Sequence, residues 1–367
     1  MNLFRIAFPT SRAGFLKTEF ESRISYYGTA EELTEGLPRR GFFFSRFGID
    51  APIYGIPLKS ESSLPYERLT DNRRINAICE ANDSLCPPEL SSTSRPTHLQ
   101  LVEDIRTHLR RADDGSPEAH RKIVAARVSR HDMAGSPTQI YNRLCHEYPQ
   151  ACVFLFSTPL TGTWIGASPE LLLNLSGSRV STVALAGTRP AGTPAGTPWD
   201  RKNIDEQKIV ADFILSTLRE EGLDPKISDT FTLRAGKVEH ICNKIAAKIP
   251  SSGLLRLRDP RREENAILIN TLLRRLSPTP ALSGFPQQEA VDYINAHEQN
   301  PRGYYGGIIG FNTPRSATAY VNLRSARLDA ATHTAWLYAG GGITRDSVPE
   351  EEWEETCRKI STLADCM

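Results

Sequence analysis

The stretch YAGGGITRDSVPEEEWEETCRK, from Tyr338 to Lys359, sets three consecutive glycines ahead of six carboxylates: Asp346, Glu350, Glu351, Glu352, Glu354 and Glu355. At about 100° per residue, a helix over this stretch separates three faces. Trp353, Cys357, Ile360 and Ala364 form an apolar side. Glu351, Glu354 and Arg358 form a solvated side, with Glu354 and Arg358 as a favourable i,i+4 pair. The third face carries Glu352, Glu355, Thr356 and Lys359. Two carboxylates one turn apart, with a lysine at i+4 from Glu355, suit a divalent cation and an anion bound side by side. They equally suit a helix start whose acids only complement the positive end of the dipole.

A second acidic segment, DRKNIDEQKIV, carries Asp205 and Glu206. A Mg²⁺ site commonly takes only one or two carboxylates, the rest coming from substrate and water, so one glutamate from each helix suffices. Gly340 to Gly342 lack the G-x-G-x-x-G spacing of a nucleotide fingerprint, and no Walker lysine follows. Without side chains they still let backbone N–H groups approach an anion. Arg324, in the strand-like VNLRSARL, serves either as a bidentate carboxylate anchor or as half of a structural salt bridge. Lys122, at the head of KIVAARV, reads from position alone as an exposed charge at a strand start. Glu170 lies between Ser168-Pro169 and an apolar LLL run, a poor setting for a surface residue. A semi-buried carboxyl has a raised pKa and can act as a general acid.

These residues need elements to hold them. LQLVEDIRTHLRRA from Leu99 has helical periodicity, KIVAARVSR alternates as a strand, and ACVFLFS is a buried apolar run. TWIGASPELLLNLSG breaks at Ser168-Pro169 between two strands, and VSTVALAGTRPAGTPAGTPWD begins as a strand and continues as a Gly/Pro/Thr loop. DRKNIDEQKIVADFILSTLREEG predicts a helix with Ile204, Ile209, Phe213, Leu215 and Leu218 along its apolar side. KVEHICNKIAAKI, GFPQQEAVDYINAHEQ and EEEWEETCRKISTLADCM predict further helices. YYGGIIGFN, TAYVNLRSARL and HTAWLYAGGGI predict consecutive strands. Strands and helices thus mix without βαβ alternation, which points to an α+β fold with large antiparallel sheets. The first hundred residues are mixed in pattern and end in LCPPELSSTSRPTH, which reads as a surface linker.

A net charge of +1 offers no electrostatic case for nucleic acid, and no apolar run approaches the roughly 20 residues that span a bilayer. The N-terminus lacks a signal-type apolar segment, so a cytoplasmic enzyme is expected. Seven scattered cysteines without C-x-x-C spacing are expected to be reduced and mostly buried.

In order, ASPELLL, ALAGTRPAG, DEQKIV, VEHI, PTPALSGFP, RGYYGGIIG, VNLRSA and YAGGGIT followed by EEEWEET resemble the chorismate-utilising enzymes. The resemblance covers residues 99 to 365 and is loose over residues 1–98, which read as a divergent part of the same fold preceding a chorismate-binding core over residues 99–367. It implies a single large domain of two facing antiparallel sheets with outer helices, and one Mg²⁺ on a substrate carboxylate. By resemblance, Glu206 and Glu355 are the metal ligands with Glu352 nearby. Arg324, the backbone at Gly340 and Gly342, and Lys359 are anchors for substrate carboxylates. Tyr305, Gly187 and Thr188 form the pocket wall, and His240 sits near the C4 hydroxyl.

The family's branches differ in their nucleophile. Ala186 stands where aminodeoxychorismate synthases carry a lysine nucleophile, and Lys122 stands where water-using members carry a lysine. This implies an isochorismate synthase: Lys122 takes a proton from the water attacking C2, and Glu170 protonates the departing C4 hydroxyl. The alternative is a salicylate synthase, which goes on to eliminate pyruvate; PTPALSGFP resembles the first branch, while EETCRKISTL is also similar to the second. Ser277 departs from the histidine that many relatives place before PTPA. Neither an obligatory amidotransferase partner nor a heptad run is indicated, so a monomer is expected.

Overall fold

Strand Cys152–Thr158, CVFLFST, is buried throughout, and the period of 2 in a strand sends alternate residues to opposite faces. Phe154 and Phe156 join one apolar cluster while Val153 and Leu155 join another. A strand buried on both faces needs a layer on each side, and that requirement organises the molecule. The computed structural model describes residues 1–9, 25–58, 72–111, 121–194, 196–235, 238–249, 263–314 and 316–367.

With strands numbered in chain order, one sheet of eight contains β1 (Asn2–Ala7), β2 (Ser25–Ala30), β6 (Lys122–Asp132), β7 (Cys152–Thr158), β8 (Gly162–Ser168), β14 (Gly284–Phe285), β17 (Ser325–Asp329) and β18 (Thr334–Ile343). Its order is β14-β6-β18-β17-β8-β7-β1-β2. The other sheet contains β3 (Thr34–Glu35), β4 (Gly41–Ser45), β5 (Ile53–Pro57), β9 (Leu171–Ser176), β10 (Arg179–Pro190), β11 (Lys226–Ile227), β13 (Val238–Lys248), β15 (Ile308–Asn312) and β16 (Ser316–Val321). It runs β11-β13-β10-β9-β16-β15-β4-β5-β3, with β12 (Phe231–Ala235) also on β13. Every pairing among the described residues is antiparallel.

The inner faces meet over aromatic side chains: Phe44 stacks on Phe156 at 4.8 Å between centroids, and Phe4 on Phe42 at 5.4 Å. Each fully buried side chain of this size contributes roughly 1.5–3 kcal/mol relative to exposure. On the outer face of the first sheet lie helices α1 (Asn72–Leu85), α2 (Arg95–Arg111), α3 (Pro137–Glu147), α6 (Gln287–His297) and α7 (Pro349–Ala364). Helices α4 (Arg201–Glu220) and α5 (Glu263–Leu276) pack with the second sheet. No helix among the described residues is long and apolar enough to cross a membrane.

The α+β class with two facing antiparallel sheets and outer helices matches expectation, and four local expectations do not. Within KVEHICNKIAAKI, Val238–Lys248 is strand β13 and pairs with β10 over its whole length; helix-like spacing misled because both faces are partly covered. The buried side of α4 is Val210, Ala211, Ile214, Thr217 and Leu218, with Ile204 half exposed at 50%. VNLRSARL breaks at Arg324, whose φ of 45° turns the chain between β16 and β17. LCPPELSSTSRPTH is no plain linker: Thr93 is buried and α2 already begins at Arg95. None of the seven cysteines is in a disulfide, and Cys79, Cys152, Cys242 and Cys366 are buried.

Candidate active site

The glycine triplet explains how a helix on the outer face of one sheet reaches a cleft on its inner face. A Cβ at Gly341 would lie 3.0 Å from Glu352 Oε2 and 3.7 Å from Glu355 Oε1, both on α7. One residue on, a Cβ at Gly342 would lie 2.3 Å from Glu206 Oε1 and 3.2 Å from Lys122 Nζ. Successive β18 residues therefore face opposite ways, and the missing side chains leave room for carboxylates from α7 on one side and α4 on the other.

One cleft is lined by Lys122, Glu170, Gly187, Thr188, Glu206, His240, Tyr305, Arg324, Gly340, Gly342, Glu355 and Lys359, all expected site residues. Glu352 stands outside this lining, behind Gly341. Asp205 is not part of the site; its carboxylate is 36% exposed and pairs with Arg201 at 3.7 Å.

Lys122 is not the exposed charge that its position suggests. It is 1% exposed at the head of β6, and among the described residues its ammonium has no carboxylate within ion-pair distance. Burial lowers its pKa; Glu206 and Glu355 oppose this, and Lys359 and Lys202 add to it. Glu170 is 3% exposed and pushed up to about 7, chiefly by burial, against a hydrogen bond from Thr279 Oγ1 at 3.3 Å and the positive charges of Lys122 and Lys359.

Arg324 makes no ion pair among the described residues, which removes the structural salt bridge. Burial lowers its pKa to about 10, leaving it charged at neutral pH. Its Nη2 lies 3.1 Å from His240 Nε2, while His240 Nδ1 is 3.0 Å from Gly187 O. An arginine only donates, so Nε2 accepts and Nδ1–H donates to the carbonyl. Burial and the Arg324 charge hold His240 neutral, with its pKa lowered to about 3. In this arrangement the histidine orients the guanidinium.

Gly187 forms a bulge in β10 at φ 70°, and the bulge is pinned where Asn203 Oδ1 accepts from Thr188 N at 2.8 Å. Asp200 caps α4 by accepting from Asn203 N at 2.9 Å, so the pocket wall and the helix bearing Glu206 share one anchor. Tyr305 stacks on Tyr338 at 5.2 Å, and burial raises its pKa. Lys359 Nζ donates to Gly340 O at 2.8 Å and to Glu355 Oε1 at 2.7 Å.

Burial favours the neutral forms of Glu352 and Glu355, but the outcomes differ. Glu352 is raised to about 6 by burial and by Glu355, while Lys202 opposes; for Glu355, Lys359 and Lys202 outweigh burial and hold it below the usual range. Glu206 Oε1 and Glu352 Oε2 are buried with no hydrogen-bond partner. Such orphaned acceptors beside an ionised third carboxylate fit a divalent cation. Among the described residues no group of three or more Asp, Glu, His or Cys could by itself hold a metal. A cation held there would therefore need further ligands from substrate and water.

Several lining or supporting residues escaped sequence reasoning. Lys202, which pairs with Glu352 across the two acidic helices, is hidden in the charged run DRKNIDEQK. Thr279, Ala281 and Leu282 belong to PTPALSGFP, a motif without an assigned role. On α7, Glu351 and Glu354 are exposed as expected. The buried positions are Glu352, Thr356, Ile360, Thr362 and Leu363, whereas Trp353 and Cys357 are half-buried, with the Arg127 guanidinium 4.0 Å over the Trp353 ring.

A family model described as chorismate binding enzyme matches residues 61–367. The chain belongs to the chorismate-binding enzyme family. It is 30% identical over 258 residues to the salicylate biosynthesis isochorismate synthase of Pseudomonas aeruginosa, covering 67% of this chain and 50% of that protein. It is also 30% identical over 283 residues to anthranilate synthase component 1 of Aeropyrum pernix, covering 74% of this chain and 60% of that protein. Each match thus spans only part of the relative's length. The fold is similar to MenF, the menaquinone-specific isochorismate synthase of Escherichia coli, with a TM-score of 0.70 and 20% identity over 99% of this chain and 89% of that one. In this chorismate-binding enzyme the cleft between the sheets is the common meeting place of the motifs.

Proposed function

We propose that this protein is an isochorismate synthase that converts chorismate to isochorismate in the cytoplasm without an amidotransferase partner. The observation that carries the reading is a buried lysine without an ion-pair partner and a buried protonatable carboxyl on facing sheets of one cleft: Lys122 heads β6, and Glu170 leads into β9. The reaction needs a base and an acid acting at different ring carbons, so the two groups must come from separate walls.

Neutral Lys122 takes a proton from a water as that water's oxygen bonds to C2. The ring double bonds shift, the C4–O bond breaks, and Glu170 delivers the proton that lets the hydroxyl leave as water. Proton exchange with solvent restores both groups. Arg324, Lys359 and the backbone at Gly340 and Gly342 hold substrate carboxylates, contributing positioning and electrostatics. His240 keeps Arg324 aimed, and Tyr305, Gly187 and Thr188 wall the ring. Ala186 presents a methyl to the cleft, so the wall there supplies no amine nucleophile. Glu206 and Glu355, with Glu352 beside them, are the residues to hold Mg²⁺; when bound, the ion neutralises a substrate carboxylate and fixes its orientation.

Purified protein given chorismate and Mg²⁺ yields isochorismate, and chelation stops the reaction; chromatography of the products checks this. Release of salicylate with pyruvate makes the protein a salicylate synthase instead. The pH profile of kcat/KM adds a second expectation. Glu170 must be protonated, its pKa being raised to about 7, so activity is lost on the alkaline side as it ionises; Lys122 must be neutral, and burial, by lowering its pKa, limits the loss on the acid side. Glu170→Gln loses that alkaline limb along with about 10²–10⁴-fold in kcat. A limb unchanged in position in the Gln variant excludes Glu170 as the acid.

A further inference from the structure

Arg302 and Glu298 take no part in the chemistry above, yet they touch both segments that carry it. Their side chains are 2% and 6% exposed. Strand β14 covers only the first two residues of the free edge of β6, through Phe285 opposite Lys122 and Gly284 opposite Ile123. An edge beyond that point presents unpaired backbone groups. Beside backbone bonds from Val124 N to Ser283 O and from Thr93 N to Val128 O, two side chains pair this edge: Arg302 Nη2 donates to Val124 O at 2.9 Å, and Glu298 Oε1 accepts from Ala126 N at 2.8 Å.

The same guanidinium reaches the other wall. Arg302 Nη1 donates to Leu282 O at 2.5 Å. Leu282 belongs to a turn closed by Leu282 N and Ser283 N donating to Thr279 O at 2.8 and 2.9 Å, and Thr279 Oγ1 donates to Glu170 Oε1. Arg302 therefore bonds both the strand that begins with Lys122 and the turn that bonds Glu170. Two bonds to Glu298, at 2.8 and 2.5 Å, neutralise it, and the Phe47 ring 4.4 Å away covers it. Only a planar fork of donors spans two backbone carbonyls and a carboxylate at once; a lysine ammonium cannot reproduce that geometry. A buried ion pair is weak evidence for stability, so its value here is geometric.

We infer that the Glu298–Arg302 pair is a positioning device for the reaction, setting the separation between the base-bearing strand and the acid-bearing turn. The inference rests on the roles given to Lys122 and Glu170 above. Its test is steady-state kinetics on Arg302→Lys, Glu298→Gln, Thr279→Val and the Arg302→Lys/Thr279→Val double variant, with the folded fraction measured by urea melting. The expected result for folded Arg302→Lys is a kcat at least about tenfold lower with KM for chorismate within about twofold, since Arg324 and Lys359 are untouched. Because Thr279 lies on the same chain of contacts, the double variant falls little below Arg302→Lys alone. Unchanged kcat in a folded variant, a loss that only tracks the unfolded fraction, or fully additive effects overturns the inference. If Arg302→Lys does not fold, Glu298→Gln is read in the same way; if neither folds, the pair is a folding element and the inference fails. A wild type that leaves chorismate untouched sinks the proposed function and this inference together. An active wild type with an unaltered Arg302→Lys sinks this one alone.

Discussion

Lys122→Met lowers kcat for chorismate turnover by about 10²–10⁴-fold, the range that a positioned general base contributes, while the protein stays folded. Methionine keeps most of the volume of the lysine stem and removes the ammonium. That ammonium sits in a wholly buried position with no carboxylate partner within ion-pair distance among the described residues, and burial is the first cause of its lowered pKa. A group held there against desolvation costs the fold free energy, so the variant keeps or gains stability as it loses activity. Steady-state kinetics and urea midpoints measured together separate this from general damage. A Lys122→Met variant within about threefold of wild-type kcat removes Lys122 from the base's role and leaves water activation without an owner.

Gly342→Ala costs at least about 10²-fold in kcat/KM, because displacing a site group by about an ångström can cost that much. The added methyl would stand 2.3 Å from Glu206 Oε1 and 3.2 Å from Lys122 Nζ. The strand cannot slide away, since β18 pairs with β6 from Thr334 to Ile343 and Gly342 lies opposite Val124. The Glu206 side chain is the movable partner, so the carboxylate shifts and the fold survives. Kinetics at several Mg²⁺ concentrations reads the result: the metal needed for half-maximal rate rises together with the loss of kcat/KM. Gly340→Ala is the comparison for the metal dependence alone, since a methyl there meets Ala125 O and Val124 Cγ1 at 3.1 Å and no site carboxylate. Wild-type kcat/KM in Gly342→Ala would show that the glycine's openness is not needed.

The sequence by itself determined which residues could act and on which elements most of them lie. Period and spacing placed Glu352, Glu355 and Lys359 on one helical face, Glu206 on a second helix and Lys122 at a strand start, because local periodicity is set by backbone geometry that every helix and strand shares. Ordered motifs extended the set to His240, Tyr305 and Gly187, and the cleft contains all three. Local pattern failed where burial on two faces erases periodicity, as in KVEHICNKIAAKI, and where one residue with positive φ splits a run of strand formers, as at Arg324.

Tertiary structure alone decided the electrostatic roles, since a pKa depends on what surrounds the group in space. Lys122 reads as a solvated charge in its segment and is fully buried in the fold. Glu352 and Glu355 look equivalent one turn apart, yet Lys359 and Lys202 keep one well ionised while burial raises the other. The bond from Thr279 to Glu170 and the fork of Arg302 join residues 109 and 178 positions apart, distances over which no periodicity carries information. The three glycines of YAGGGIT show the division most plainly. Their number is visible in the chain, but their purpose, clearing both faces of one strand so that carboxylates from two helices can meet, exists only once the sheet and its helices are packed.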